Sequence, residues 1–221
     1  MKRIAIFGDS WGCGEWEHGD NTHRGFEEYL SKMGHSVENY SKGGSGIRTV
    51  IQAVTEYKCS ILAPNTPPDF IFVFFTDMAR DIGENEYWPE LYDKQYYIDR
   101  NSRMKRYYLE QLNNLKLPIY IIGGLTKIKP EEVEDLEFIN VAVPSFQELI
   151  IPDYTQYEIL FQHVLWMIPY NISKELLDYV WEEHKIWTYA QAQPPFVLDK
   201  AHPNREAHKK LAKFINKKIM K

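Results

Sequence analysis

The sequence predicts an α/β fold in which a parallel β-sheet carries helices on both of its faces. Short runs of consecutive apolar residues recur along the 221-residue chain, and each is bounded by glycine, proline or turn residues. Such runs are typical of strands that are buried on both faces. Segments with apolar residues at helical spacing separate the runs, and this alternation indicates strand–helix–strand units. Because ligands bind at the carboxyl ends of the strands in such sheets, we expect a functional site in the turns after the first three strands.

Five segments are predicted to be strands. The first, 3–7, is a short apolar run that ends at Gly8, Asp9 and Ser10. The most strongly predicted strand, 70–75, consists entirely of aromatic and β-branched residues, which favour extended backbone. The remaining predicted strands are 36–40, 118–122 and 138–143.

Helical patterns fill the segments between the strands. The pattern at 24–33 ends at Gly34, a residue suited to the left-handed conformation that closes many helices. The glycine-rich segment 43–46 opens a second helix, and a third pattern covers 99–115. The apolar positions of the second helix are Ile47, Val50, Ile51 and Val54.

The last helical pattern, 209–221, alternates lysines with apolar residues. This alternation predicts an amphipathic helix whose lysines face solvent. The alternative is a patch that binds a membrane or phosphate groups. His208, just before this segment, is also expected to face solvent.

The chain is predicted to form a single domain over residues 1–221, because no glycine-, serine- or proline-rich linker divides it. Two aromatic-rich segments, 84–108 and 154–189, exceed what the minimal layout needs. They are expected either to pack ordinary helices onto the sheet or to form a cap whose aromatic side chains stack on sugar rings or aromatic groups.

Composition excludes several classes of function. A formal net charge of −5 without a concentrated basic face argues against nucleic-acid binding. Two cysteines cannot form the disulfide framework of a small secreted domain. Neither a signal-peptide core nor a transmembrane stretch is present in the sequence, so we expect a cytoplasmic protein without a membrane partner. No cofactor or metal is expected, although His18, Asp20 and His23 form a short cluster with potential ligands.

Three residues could supply the chemistry of a serine hydrolase. Ser10 follows the first strand, where a tight turn can expose its hydroxyl group. A serine hydroxyl is a weak nucleophile and needs a base, a group that orients the base, and donors for the developing oxyanion.

Asp199 precedes His202 by three residues, in a non-helical stretch that Pro203 ends. At this spacing the carboxylate can accept a hydrogen bond from Nδ1 and leave Nε2 directed at the serine. Read alone, His202 is more typical of a capping or surface residue.

Together these segments resemble the SGNH or GDSL hydrolases, a family of esterases, lipases, thioesterases and carbohydrate deacetylases. The resemblance covers nearly the whole chain and rests on Gly8-Asp9-Ser10, Ser41-Lys42-Gly43-Gly44-Ser45-Gly46 and Asp199-Lys-Ala-His202-Pro203. It implies a flavodoxin-like three-layer α/β/α sandwich. It also implies that Ser10 is the nucleophile, that Asp199 and His202 complete the catalytic triad, and that Ser10 and Gly43 donate backbone N–H groups to the oxyanion.

One block departs from the family pattern. The family usually has Gly-x-Asn-Asp after the third strand, whereas here Thr76 stands at the asparagine position and Asp77 follows it. A threonine hydroxyl is a shorter donor than an amide, and loss of an oxyanion donor typically lowers the rate by roughly 10²–10³. Arg80 is expected either to compensate for the shorter donor, by placing a positive charge near the oxyanion or by binding an anionic substrate, or to pair with a neighbouring carboxylate. The residues expected to contact the substrate are Asp9, Trp11, Asp77 and Arg80.

The resulting prediction is a hydrolase that forms an acyl-enzyme on Ser10 and acts on a small-molecule or glycan ester. One alternative is a catalytically silent carbohydrate-binding module that keeps the same fold. Another is a protein that binds a nucleotide or phosphate at the glycine-rich 43–46 turn. Cys13 is predicted to have a packing role.

Overall fold

The computed structural model describes residues 1–14, 25–61, 67–75, 94–124, 126–150, 203 and 205–221. The strands in these ranges are β1 (Arg3–Phe7), β2 (Ser36–Asn39), β3 (Phe70–Phe75), β4 (Ile119–Gly123) and β5 (Ile139–Val143). The helices are α1 (Ser10–Cys13), α2 (Phe26–Lys32), α3 (Ile47–Ile61), α4 (Lys94–Asn113), α5 (Phe146–Ile150) and α6 (Arg205–Lys218).

The strands form one parallel sheet in the order β2-β1-β3-β4-β5. In the register of the first three strands, Ile6 lies between Asn39 on one side and Phe72 on the other. All five predicted strands are confirmed, and so is the α/β fold class. The strand order reverses direction at β1, because β2 lies on one side of it and β3 on the other. The carboxyl ends of β1 and β3 flank the crevice where open α/β sheets bind their ligands.

Alternate residues of the strands pack into two separate hydrophobic cores, one on each face of the sheet. In β1, Ile4 and Ile6 face the core that contains α2, α5 and α6, whereas Ala5 and Phe7 face α3 and α4. All six residues of β3 are buried, as expected for a central strand covered on both faces. The molecule therefore has three layers, with the sheet between two layers of helices.

Most helix boundaries follow the predicted patterns. Gly34, just after α2, has a φ of +88°, the left-handed conformation expected of a closing glycine. The α3 helix begins directly after the glycine-rich 43–46 segment. The α4 helix begins before the predicted 99–115 pattern, so residues 94–108 of the first aromatic-rich segment belong to α4. The rest of that segment, 84–93, and the whole of 154–189 lie outside the described residues.

The α6 helix confirms the predicted solvated lysine face but corrects the prediction for His208. Lys210, Lys213 and Lys217 are exposed. His208, by contrast, is fully buried, and its ring packs edge-on against Phe146 with 5.5 Å between the ring centroids. The reason is helical phase, because His208 shares its face with the buried residues Leu211, Ala212 and Ile215.

The helices of the described residues include none that is both long and apolar enough to cross a membrane.

Candidate active site

Ser10 lies at the carboxyl end of β1, as the first residue of the single-turn helix α1. Asp9 is the N-cap of this helix, and its carboxylate accepts a hydrogen bond from the Trp11 backbone N–H at 3.0 Å. Gly8 makes the turn possible, because a Cβ at this position would lie 2.7 Å from the Cβ of Phe74. Ser10 is therefore placed beside the end of β3, with only 5% of its surface exposed.

The neighbours of Ser10 hold the turn in place. Asp9 and Trp11 are each 1% exposed. The Trp11 ring packs edge-on against Phe146 at 5.7 Å, in the core on the α2 and α6 side of the sheet. Asp9 and Trp11 thus help to hold the turn in place, and their predicted contact with a substrate stays a prediction.

The loop after β2 lies directly against the Ser10 turn. The Lys42 backbone N–H donates to the carbonyl oxygen of Gly8 at 2.9 Å. The Gly43 backbone N–H donates to the sulfur of Cys13, at the other end of α1. Gly43 itself is exposed. The structure thus brings Gly43 to the same edge of the sheet as Ser10, as the sequence predicted for the turns after β1 and β2.

Cys13 has the environment of a packing residue. The pKa of its thiol is raised from 9.0 to about 11, mainly by burial and also by the negative charge of Asp9, while the Gly43 hydrogen bond lowers it in part. A thiol with this pKa is protonated near neutral pH and is a poor nucleophile. This supports the predicted packing role.

Asn39 is a site residue that sequence reasoning missed. Its side-chain Nδ2 donates to the carbonyl oxygen of Gly12 at 2.9 Å, and its Oδ1 accepts from the Ser41 backbone N–H at 3.0 Å. The contact to Ser41 is the local turn that asparagine commonly makes with the backbone two residues further on, so this half of the pattern was readable in the sequence. The contact to Gly12, 27 residues away, was not.

The start of α6 lies next to α1, on the same face of the sheet. The rings of Trp11, Phe146 and His208 follow one another through edge-on contacts. Gly25 fits between the two helices, because a Cβ there would lie 2.5 Å from the Gly14 Cα and 3.0 Å from the His208 ring. Pro203, which follows His202 in the chain, is buried.

Several predicted site residues lie outside the described residues. They are Thr76, Asp77, Arg80, Asp199 and His202. The potential metal ligands His18, Asp20 and His23 also lie outside them. Within the described ranges, no three histidine, cysteine, aspartate or glutamate side chains cluster in a way that could hold a metal ion.

No protein-family model matches the chain, and no curated protein matches it. Solved structures do match it over nearly its full length. The psychrotrophic esterase EstA from Pseudoalteromonas sp. has a TM-score of 0.51 and 10% identity, over 100% of this chain and 97% of EstA. TesA has a TM-score of 0.47 and 12% identity, over 98% of this chain and 97% of TesA. The lipase/acylhydrolase from Enterococcus faecalis has a TM-score of 0.44 and 14% identity, over 99% of this chain and 95% of that one. Five parallel strands in the order 2-1-3-4-5 between two helical layers, together with the likeness to EstA, show that this chain has the three-layer α/β/α fold of that esterase.

Proposed function

We propose that the protein is a serine hydrolase that cleaves an ester through an acyl-enzyme on Ser10. The observation that carries this proposal is the placement of Ser10 on a capped single-turn helix at the carboxyl end of β1, beside the point where the strand order reverses. A nucleophile there is held rigidly at the edge of the sheet where substrates of such folds bind. The esterase EstA, which has the same fold, supports the choice of reaction.

In the proposed mechanism, Ser10 Oγ attacks the carbonyl carbon of the ester while His202 accepts the hydroxyl proton. Asp199 accepts a hydrogen bond from His202 and stabilises the imidazolium that forms. The tetrahedral intermediate then collapses, His202 returns the proton to the leaving alcohol, and the acyl group stays on Ser10. Water then attacks the acyl carbon while His202 accepts its proton, the bond to Ser10 Oγ breaks, the carboxylic acid leaves, and His202 returns the proton to Ser10.

Backbone N–H groups of Ser10 and Gly43 are the proposed oxyanion donors, with the Thr76 hydroxyl as the third. The docking of the loop after β2 onto the Ser10 turn supports Gly43 in this role by proximity, and the Gly43 N–H would exchange the Cys13 sulfur for the oxyanion when a substrate reacts. Preorganised donors of this kind supply a large share of the stabilisation in acyl transfer. Asp77 and Arg80, which follow Thr76, are the proposed contacts to the substrate.

An O-acetylated carbohydrate is the substrate class that we propose to test first. Tyr108 packs in the core, so the other aromatic residues of 84–108 and those of 154–189 support this choice, because aromatic rings stack on sugar rings. The proposal of ester hydrolysis does not depend on this substrate class. A simple aryl acetate therefore serves as the substrate in the first assays.

The proposal predicts that a phosphonate ester labels Ser10 covalently. EstA was solved in a form inhibited by monoethylphosphonate, so a fluorophosphonate is a suitable probe. We expect intact-mass spectrometry to show one label per chain in the wild type and none in Ser10→Ala. Labelling should fall by about 100-fold or more in His202→Gln, since an unassisted serine is a weak nucleophile.

Two matched variants serve as controls. Ser31 is exposed on α2, so Ser31→Ala should label like the wild type. His35 accepts a hydrogen bond from the Lys2 backbone at the amino end of the sheet, so His35→Gln should also keep its labelling. A wild-type protein that neither takes the label nor hydrolyses p-nitrophenyl acetate would overturn the proposal and favour the silent carbohydrate-binding module.

A further inference from the structure

Asn39 joins the two turns that carry the proposed nucleophile and the proposed oxyanion donor. Its amide donates to Gly12 O on α1 and accepts from Ser41 N in the loop after β2. The two contacts fix the orientation of the amide, because only its nitrogen can donate to a carbonyl and only its oxygen can accept from an N–H. One half-buried side chain therefore bridges two backbone segments that are far apart in sequence.

The α1 helix needs such a partner. A helix of four residues cannot form the repeated internal hydrogen bonds that stabilise longer helices, and its last carbonyl groups lack partners within it. Asp9 satisfies a backbone N–H at the start of α1, and Asn39 satisfies the Gly12 carbonyl near its end. Ser10 lies between these two side-chain caps.

The backbone packs closely where Asn39 acts. A Cβ on Gly12 would collide with the Ser41 hydroxyl, so the two segments are in contact at this point. Lys42 N donates to Gly8 O, and Gly43 N donates to the Cys13 sulfur. Together with the Asn39 contact to Gly12, these contacts tie the end of β2 and the loop after it to residues 8–13. The Lys42 contact joins two backbone groups and cannot be removed by a simple substitution, whereas the Asn39 and Cys13 contacts each involve a side chain and can be removed.

We propose that Asn39 is a positioning residue that sets the distance between Ser10 and the N–H groups of the loop after β2. This role rests on the proposed function. Asn39 does not itself touch the reacting atoms. Its loss should therefore lower the rate of acyl transfer and leave substrate binding largely unchanged, because small displacements of a preorganised site are costly in the transition state.

Two variants separate the two contacts of Asn39. Asn39→Ala removes both of them. Asn39→Asp keeps an acceptor for Ser41 N but places a carboxylate oxygen against the Gly12 carbonyl, which repels it. We expect both variants to lower kcat and the rate of phosphonate labelling by roughly 10- to 100-fold. KM for p-nitrophenyl acetate should stay within about threefold, as for an interaction made mainly in the transition state.

Asn113→Ala is the matched control for stability. Asn113 Oδ1 accepts a hydrogen bond from the Phe138 backbone N–H at 2.9 Å, just before β5 and at the opposite edge of the sheet from Ser10. This substitution should lower the melting temperature about as much as Asn39→Ala without changing kcat. Amide hydrogen exchange of residues 8–14 and 40–46 should become faster in Asn39→Ala and stay unchanged in Asn113→Ala.

The outcomes are distinguishable. If the wild type is labelled at Ser10 and the Asn39 variants keep its kcat and labelling rate, the positioning role is overturned and the proposed function stands. An equal loss of kcat in Asn113→Ala would show that Asn39 acts only through global stability, which also overturns the role. If the wild type itself is not labelled, the proposed function falls and the catalytic role of Asn39 falls with it.

Discussion

At the residue scale, local environment separates the two cysteines of the chain. Cys13 is half-buried beside Asp9, and burial raises the pKa of its thiol to about 11. Cys59 is exposed on α3. Only the thiolate form reacts with alkylating agents, so the two thiols should differ strongly in reactivity.

We predict that iodoacetamide at a pH of about 8 alkylates Cys59 in the native protein well before Cys13. A rise in pKa from 9.0 to about 11 lowers the thiolate fraction of Cys13 by about 100-fold at this pH. Peptide mass spectrometry at timed intervals measures both rates. In urea the two cysteines should react alike, which is the control. Equal rates in the native protein would contradict the prediction.

From residue type and sequence position alone, His208 was predicted to face solvent, which is wrong, and Asn39 was given no role. A histidine among lysines was expected to face solvent, but the phase of α6 places it on the buried face. Asn39 is the last residue of the edge strand β2, and the contact that reveals its role is made to Gly12, which is distant in sequence. In both cases the deciding contact comes from another element.

At the scale of elements, continuous apolar character made the strands predictable. The six residues of β3 are all buried, so both faces of the strand carry the same signal. The α1 helix was not predicted, because four residues are too few to show a helical period. The start of α4 was placed too late, since helix ends are set by capping and packing as well as by pattern.

The packing of α6 gives a prediction at this scale. Leu211 is fully buried in the core that also contains Trp11 and Leu30, whereas Lys213 is exposed. We expect Leu211→Ala to lower the free energy of unfolding by about 2–5 kcal/mol, because it removes buried apolar atoms and leaves a cavity. Lys213→Ala, on the exposed face of the same helix, should change it by less than about 0.5 kcal/mol. Urea denaturation measures both, and equal effects would contradict the packing of α6.

At the scale of the whole molecule, three acidic groups with raised pKa values link stability to pH. Burial is the largest cause of a raised pKa at Cys13, Tyr40 and Tyr57, and Tyr40 is raised from 10.0 to about 12 with a further contribution from its hydrogen bond to Glu38. Below a pH of about 8 all three groups are protonated in both the folded and the unfolded chain, so they add no pH dependence. Above this pH, the unfolded chain releases these protons at a lower pH than the folded chain does.

We therefore predict that stability falls as pH rises above about 8, first through Cys13 and then through the two tyrosines. Urea denaturation at pH values of about 7, 9 and 10.5 measures this dependence. Tyr57→Phe removes one titrating group, so the decline from about 9 to 10.5 should be shallower in this variant. A free energy of unfolding that stays constant or rises over this range would contradict the assignment.

The sequence by itself determined the fold class, the five strands and the segments that carry the candidate chemistry. Strands buried on both faces appear as runs of consecutive apolar residues, and helices appear as apolar residues at helical spacing, so both can be recognised from neighbouring residues alone. Only the tertiary structure decided the strand order 2-1-3-4-5, the docking of the loop after β2 onto α1, the bridging role of Asn39 and the burial of His208. Each of these depends on contacts between residues far apart in the chain, which a single sequence does not encode as a local pattern. The physical reason is that strand pairing and helix docking are selected by the combined burial of whole elements.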